Sequence, residues 1–215
     1  MTEPDLHELD RRSRLYQRRE TAFGSAAALR AHRFEVDNGS VPALAEAKRY
    51  VERWEEMRQN NVGLLFWGLP GNGKTFAAAC IANALCEKLL DVRMTTIGCA
   101  LNAHPSMTAQ DKLFYLESLK NCDLLILDDF GMERRTDYAQ EQVFGIIDGR
   151  YLARKPLIVT TNLSLQDLKH PDDLNEQRIF DRILEICVPA CFDGPSLRQG
   201  RAKEKLALYK ELTGR

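Results

Sequence analysis

The residues Gly68-Leu69-Pro70-Gly71-Asn72-Gly73-Lys74-Thr75 put three glycines, a lysine and a threonine hydroxyl into one short stretch. They fit G-x-x-x-x-G-K-[ST], a loop whose backbone N–H groups turn inward around phosphate oxygens. Gly68, Gly71 and Gly73 tolerate the backbone angles that such a turn needs. Lys74 is expected to reach the β- and γ-phosphates of a nucleoside triphosphate, and the Thr75 hydroxyl to ligate Mg2+. Leu69, Pro70, Asn72 and Phe76 complete the candidate contact segment. A buried strand over 62–67 is expected before the loop. An alanine-rich helix over 76–90, opening near Lys74, aims its positive end at the same charge. Strand, loop and helix in that order are the context the motif requires.

A second group of chemical residues ends the apolar run in "CDLLILDDFG". Asp128 is placed to hold Mg2+, directly or through water. Asp129 is placed to orient or deprotonate an attacking water. A third run, "PLIVTTNLS", ends at Asn162, which would emerge at the same sheet edge, between phosphate and water. A fourth segment, "EQRIFDRIL", sets Arg178 and Arg182 four residues apart on one helix face. Spacing alone leaves two readings for these arginines: surface salt bridges, or an arginine reaching a γ-phosphate across a subunit boundary.

The elements that position these residues follow from periodicity. Strands are expected over 62–67, 92–97, 123–128, 156–161 and 186–189, with helices between them. That alternation predicts an α/β fold with a mainly parallel sheet and helices on both faces. Residues 1–33 read as a polar helical extension with few core-forming positions, and 34–215 as the main domain. Asn38-Gly39 signals a turn. Val41–Gln59 reads as an amphipathic helix with Leu44, Ala47, Tyr50, Val51 and Trp54 on one face. Ser196–Leu212 reads as a final helix.

Composition narrows the classes. The 215 residues carry 30 Lys and Arg against 31 Asp and Glu, so bulk charge does not announce a nucleic-acid binder. Local basic stretches, "RRSRLYQRR" and "RQGRAKEK", can touch phosphate or be solvated helix faces. No apolar run approaches a membrane span, and the charged start lacks a signal-peptide core. No membrane partner and a cytoplasmic location are therefore expected. The six cysteines form no C-x-x-C pair and are expected to be buried free thiols. The four histidines show no metal spacing and read as surface or locally hydrogen-bonded residues.

Taken together, "GLPGNGKT", "LLILDDFG", "IVTTNLS", "RIFDRI" and "SLRQGRA" resemble the AAA+ ATPases, P-loop NTPases of the ASCE type. Within them they resemble the DnaC/IstB-like branch of helicase loaders and transposition helpers, over roughly residues 34–205. The Asp-Asp ending of the second motif is common in this branch, where most AAA+ proteins have Asp-Glu. The resemblance implies Lys74 and Thr75 as Walker A, Asp128 and Asp129 as Walker B, and Asn162 as sensor 1. It implies Arg182 as the finger that reaches a neighbour's ATP, and Arg198, with Arg201 as competitor, as the late arginine touching nucleotide in its own chain. It also implies ATP and Mg2+, an ATP-dependent homo-oligomer, a replicative helicase as partner and little or no lid domain. Single-stranded DNA would be met by the insert before Walker B, where Lys112, Lys120, Phe114 and Tyr115 are the available cations and rings.

The leading expectation is a slow ATPase that loads a replicative helicase onto single-stranded DNA. The alternatives are a transposition helper that coats duplex DNA and an adaptor that binds ATP but barely hydrolyses it. A small-molecule kinase would need an arginine-rich closing lid, and the Asp-Asp plus Thr-Thr-Asn pairing argues against one.

Overall fold

Side chains alternate across the central strands, and both sets are apolar. In β1 (Gly63–Trp67), β3 (Leu124–Phe130) and β4 (Leu157–Thr161), Leu64, Phe66, Leu124, Ile126 and Ile158 face one core. Leu65, Leu125, Leu127, Leu157 and Val159 face the other. A strand that is apolar on both sides must be covered on both sides, which dictates a layered α/β arrangement. The computed structural model describes residues 6–36, 41, 43–101, 107–131, 136–171, 173–194 and 196–213.

Two edge strands complete the sheet: β2 (Val92–Thr96) and β5 (Cys187–Cys191). Five strands lie in the order β2-β3-β4-β1-β5, and every pair is parallel. The first core packs under α1 (Leu6–Phe23), α2 (Leu44–Glu52) and α4 (Lys74–Glu87). Between α2 and α4 lies the short α3 (Trp54–Gln59), which buries Trp54. The second core packs under α5 (Ile97–Leu101), α6 (Ala109–Asn121), α7 (Asp137–Leu152), α8 (Leu165–Lys169) and α9 (Leu174–Ile186). A last helix, α10 (Leu197–Thr213), follows β5. No described helix is long and apolar enough to cross a membrane.

All five expected strands are present, with no end shifted by more than two residues. Two helices differ from expectation. The polar helix at the start ends at Phe23, where Gly24 takes φ +49°, and two 3-10 turns follow at Ala27–Ala31 and Phe34–Val36. The helix expected over 41–59 breaks into α2 and α3 at Arg53, whose φ of −103° and ψ of 25° leave the helical region. The Asn38-Gly39 turn lies outside the described residues. All six cysteines are free, but only Cys80, Cys86, Cys122 and Cys187 are buried. Cys191 is exposed because β5 is an edge strand paired with β1 alone, and Cys99 is exposed on the short α5.

The wholly buried Arg150 is the largest polar group in the core. Its guanidinium donates to the carbonyls of Leu119 (2.9 Å), Cys122 (3.1 Å) and Pro156 (2.6 Å), tying the end of α6 to the approaches of β3 and β4. Backbone carbonyls at a helix end are the partners a buried cation needs. Arg150 therefore fixes the base of the two strands whose far ends carry Asp128 and Thr160.

Candidate nucleotide site

The loop between β1 and α4 turns only because its glycines take left-handed angles: φ is +132° at Gly68, +90° at Gly71 and +97° at Gly73. At Gly68 a Cβ would come within 2.4 Å of the Phe192 carbonyl oxygen, so no other residue fits. Asn72 is buried and donates from Nδ2 to that same carbonyl at 2.8 Å. The loop's back is thus fastened to the segment that follows β5. Leu69 is exposed.

Lys74 is the first residue of α4, and its Nζ donates to the Gly68 and Leu69 carbonyls at 2.7 and 2.8 Å. The ammonium lies inside its own loop. Burial lowers its pKa, the Asp129 carboxylate opposes that shift, and the Arg198 guanidinium adds to it.

The two aspartates end up in different surroundings although they are adjacent. Leu127 pairs with Val159, but Phe130 pairs with Thr161, so β3 gains one residue over β4. This β-bulge puts Asp129 at φ +52°, a left-handed angle that costs energy for any residue with a side chain. The bulge leaves Asp128 buried and turns Asp129 outward. Asp128 Oδ1 accepts from Thr75 Oγ1 at 3.0 Å and from Thr160 Oγ1 at 2.6 Å. The Asp129 N–H donates to the same Thr160 oxygen at 3.0 Å. Burial raises the Asp128 pKa, the Thr160 hydroxyl opposes the rise, and the Asp129 charge adds to it.

A cavity of about 490 Å³ opens here. It is lined by Pro70, Gly71 and Gly73 of the loop, by Lys74, Thr75 and Phe76 of α4, and by Asp129, Asn162, Leu197, Arg198 and His32. Thr160 is the residue that sequence reasoning passed over. It joins both aspartates, and the visible signal was a threonine at the end of a buried strand. His32 is half-buried and lines the cavity as well, with its ring 5.1 Å from that of Phe76. No local pattern links two residues so far apart in sequence.

The donor set fits a nucleotide with Mg2+. Thr75 and Asp128 offer two hard oxygens side by side, and no described cluster of three or more His, Cys, Asp or Glu residues could hold a metal alone. Mg2+ prefers that situation: one or two protein oxygens, with phosphates and water supplying the rest. Lys74 and Asp128 are each pushed by burial toward their neutral forms, so a phosphate and a cation would bring the counter-charges that the two groups need.

The remaining candidates lie elsewhere. Arg182 is on α9, with Nε donating to Asp148 Oδ1 at 3.1 Å and Nη1 to Glu185 Oε2 at 3.2 Å. Its guanidinium lies 4.0 Å from the centre of the Tyr151 ring, and it does not line the cavity of its own chain. Arg178 lies over Phe144 at 4.5 Å. In the insert, Lys112 donates to the Tyr138 hydroxyl at 3.3 Å, Lys120 pairs with Glu117 at 2.7 Å, and Tyr115 packs against the core. Phe114 is exposed. The side chain of Arg201 and residue His104 lie outside the described residues.

A glycine loop between β1 and α4, with paired aspartates and Asn162 at the ends of neighbouring parallel strands, defines a P-loop nucleotide-binding protein of the AAA+ type. The chain matches the model of the IstB-like ATP binding protein family over residues 5–205 and belongs to that family. It is similar to the replicative helicase loader DnaC of Escherichia coli, with 29% identity over 150 residues, 67% of this chain and 58% of that protein. It is also similar to the replicative helicase loader DnaI of Bacillus subtilis, with 29% identity over 150 residues, 63% of this chain and 47% of that protein. The chain thus spans about half the length of these relatives. Among solved structures, DnaI shares the fold with a TM-score of 0.63 and 23% identity, covering 79% of this chain and 92% of that one. AMPPCP-bound DnaA from Aquifex aeolicus shares it with a TM-score of 0.60 and 21% identity, covering 83% and 56%.

Proposed function

We propose that this chain is a slow, Mg2+-dependent ATPase that loads a replicative helicase onto single-stranded DNA. The observation that supports the ATPase part is the bulge at Asp128-Asp129, which leaves one carboxylate buried and its neighbour exposed. Asp128 and Thr75 would hold Mg2+, which would supply positive charge against the phosphates. Lys74 and the loop amides bind the phosphates. Asp129 and Asn162 orient the attacking water, and Asp129 accepts its proton. An aspartate is a shorter arm than the glutamate common elsewhere in the fold, and slow turnover follows. Arg198 touches nucleotide in its own chain. Arg182 acts in a neighbour's site, a reading supported by the family resemblance and by its absence from the lining of its own cavity. Helicase loading rests on the similarity to DnaC and DnaI, and DNA contact is assigned to the insert around Phe114.

The test is steady-state ATP hydrolysis with and without single-stranded DNA, alongside Arg182→Ala and Asp129→Asn. The reading expects DNA stimulation that Arg182→Ala abolishes, and nucleotide binding without turnover in Asp129→Asn. A rate indifferent to DNA and to both substitutions would sink it. The family match favours one second reading, a transposition helper on duplex DNA. Long ATP-dependent filaments on duplex DNA in electron micrographs, without helicase binding, would select it.

A further inference from the structure

Among its described residues, the last helix is attached to the body at its root. The Leu197 N–H donates to the Gly71 carbonyl at 3.0 Å, and the Leu197 side chain packs against the first core. From Arg198 onward every described side chain of α10 is exposed. Leu206, Leu208, Tyr209 and Leu212 are each more than half exposed. At 3.6 residues per turn these four fall within an arc of about 160°. Lys205 falls inside the same arc. The helix also carries five Lys or Arg against two Glu. A helix of 17 residues standing in water is marginal by itself, so this one needs a partner surface that is both apolar and acidic.

The same chain carries such a surface on its other side. Helices α7 and α9 run parallel: Gln140 meets Asp173 near their starts, and Tyr151 meets Glu185 near their ends. Their outer face carries Asp137, Glu141 and Asp148 from α7, and Asp181 and Glu185 from α9. The cations among them, Arg178 and Arg182, lie over the Phe144 and Tyr151 rings. Leu174 and Leu152 stand exposed at opposite ends of the groove. At 1.5 Å per residue α7 is about 24 Å long and α10 about 26 Å.

We propose that α10 of one copy docks into the acidic α7–α9 groove of a second copy. The contact is head-to-tail, so it can continue from subunit to subunit. A helix laid into the groove of two others buries its leucines as in a helical bundle, while its lysines meet the carboxylates. Arg182 lies on the docking face, and α10 springs from the rim of the nucleotide cavity. One contact therefore brings the two together, and in this respect the inference rests on the proposed shared ATPase site.

The test uses two charge reversals in the full chain: Lys205→Glu with Lys210→Glu on α10, and Glu141→Lys with Asp181→Lys on the groove. Self-association is measured by sedimentation velocity with AMPPNP and Mg2+, and AMPPNP binding by calorimetry on the same samples. Wild type should self-associate, and each variant alone should associate roughly tenfold or more weakly. A one-to-one mixture should recover wild-type assembly, because each α10 then meets a groove of opposite charge. Failure of the mixture to recover would overturn the groove as the partner. So would wild-type chain that binds AMPPNP but stays monomeric, or α10-dependent binding to phosphatidylserine vesicles without self-association. If wild type does not bind AMPPNP at all, the nucleotide reading fails instead.

Discussion

The chain's two terminal helices are similar in length and polarity, yet one belongs to the body and the other does not. Of α1, with 18 residues, only Ala22 and Phe23 are buried, but those two enter the first core at the very end of the helix. Ion pairs from Arg19 and Arg33 to Glu87, and from Arg18 to Asp91, then hold the helix and its continuation against α4 and β2. The helix also lies against the edge strand β2. The 17 residues of α10 have comparable apolar content, spread along its length, but of its described side chains only Leu197 reaches the core. The difference teaches that average hydrophobicity does not decide whether a terminal helix docks. What decides is whether its apolar residues coincide with a vacant place in the core and its charges with opposite charges.

Four measurements would sharpen or break that contrast. Phe23→Ala should cost about 3–5 kcal/mol, the usual price of emptying an aromatic site in a core, and should lower the urea midpoint accordingly. A loss near zero would mean that α1 is not anchored at its end. Arg19→Ala should cost much less, about 0.5–1 kcal/mol, because its partner Glu87 is half exposed and such pairs are screened by solvent. Ending the chain at Gly200, which keeps Leu197 and Arg198, should change monomer stability by less than about 0.5 kcal/mol. It should nevertheless remove assembly, and a large loss of stability would show that α10 docks within its own chain. Hydrogen exchange gives the smallest signal: amides of Leu15–Phe23 should be protected, while those of Leu206–Leu212 should exchange quickly until AMPPNP-driven assembly slows them.

The site was legible in the sequence to an uneven degree. The phosphate loop could be read residue by residue, because its chemistry depends on glycine angles and a fixed lysine position within one local turn. Asp128 and Asn162 were legible as the ends of buried strands. The separation of Asp128 from Asp129 was not, because it arises from a β-bulge that exists only when β3 is paired with β4. Thr160 was missed for the same reason, since its hydroxyl gains a role only between two paired strands. His32 reaches the cavity through the docking of the α1 segment on α4, a contact with no periodic signature. Arg182 could be named by resemblance, but its ties to Asp148, Tyr151 and Glu185 join two helices separated by a strand.

The sequence by itself determined the order of strands and helices, because alternating apolar runs admit few other solutions. It also determined the phosphate loop, because only glycine tolerates those backbone angles. The tertiary structure decided which aspartate is buried, which arginine lines the cavity and which terminal helix is held by the core. Those outcomes depend on strand register, on burial and on the meeting of charges from distant segments, and no local stretch of sequence encodes them.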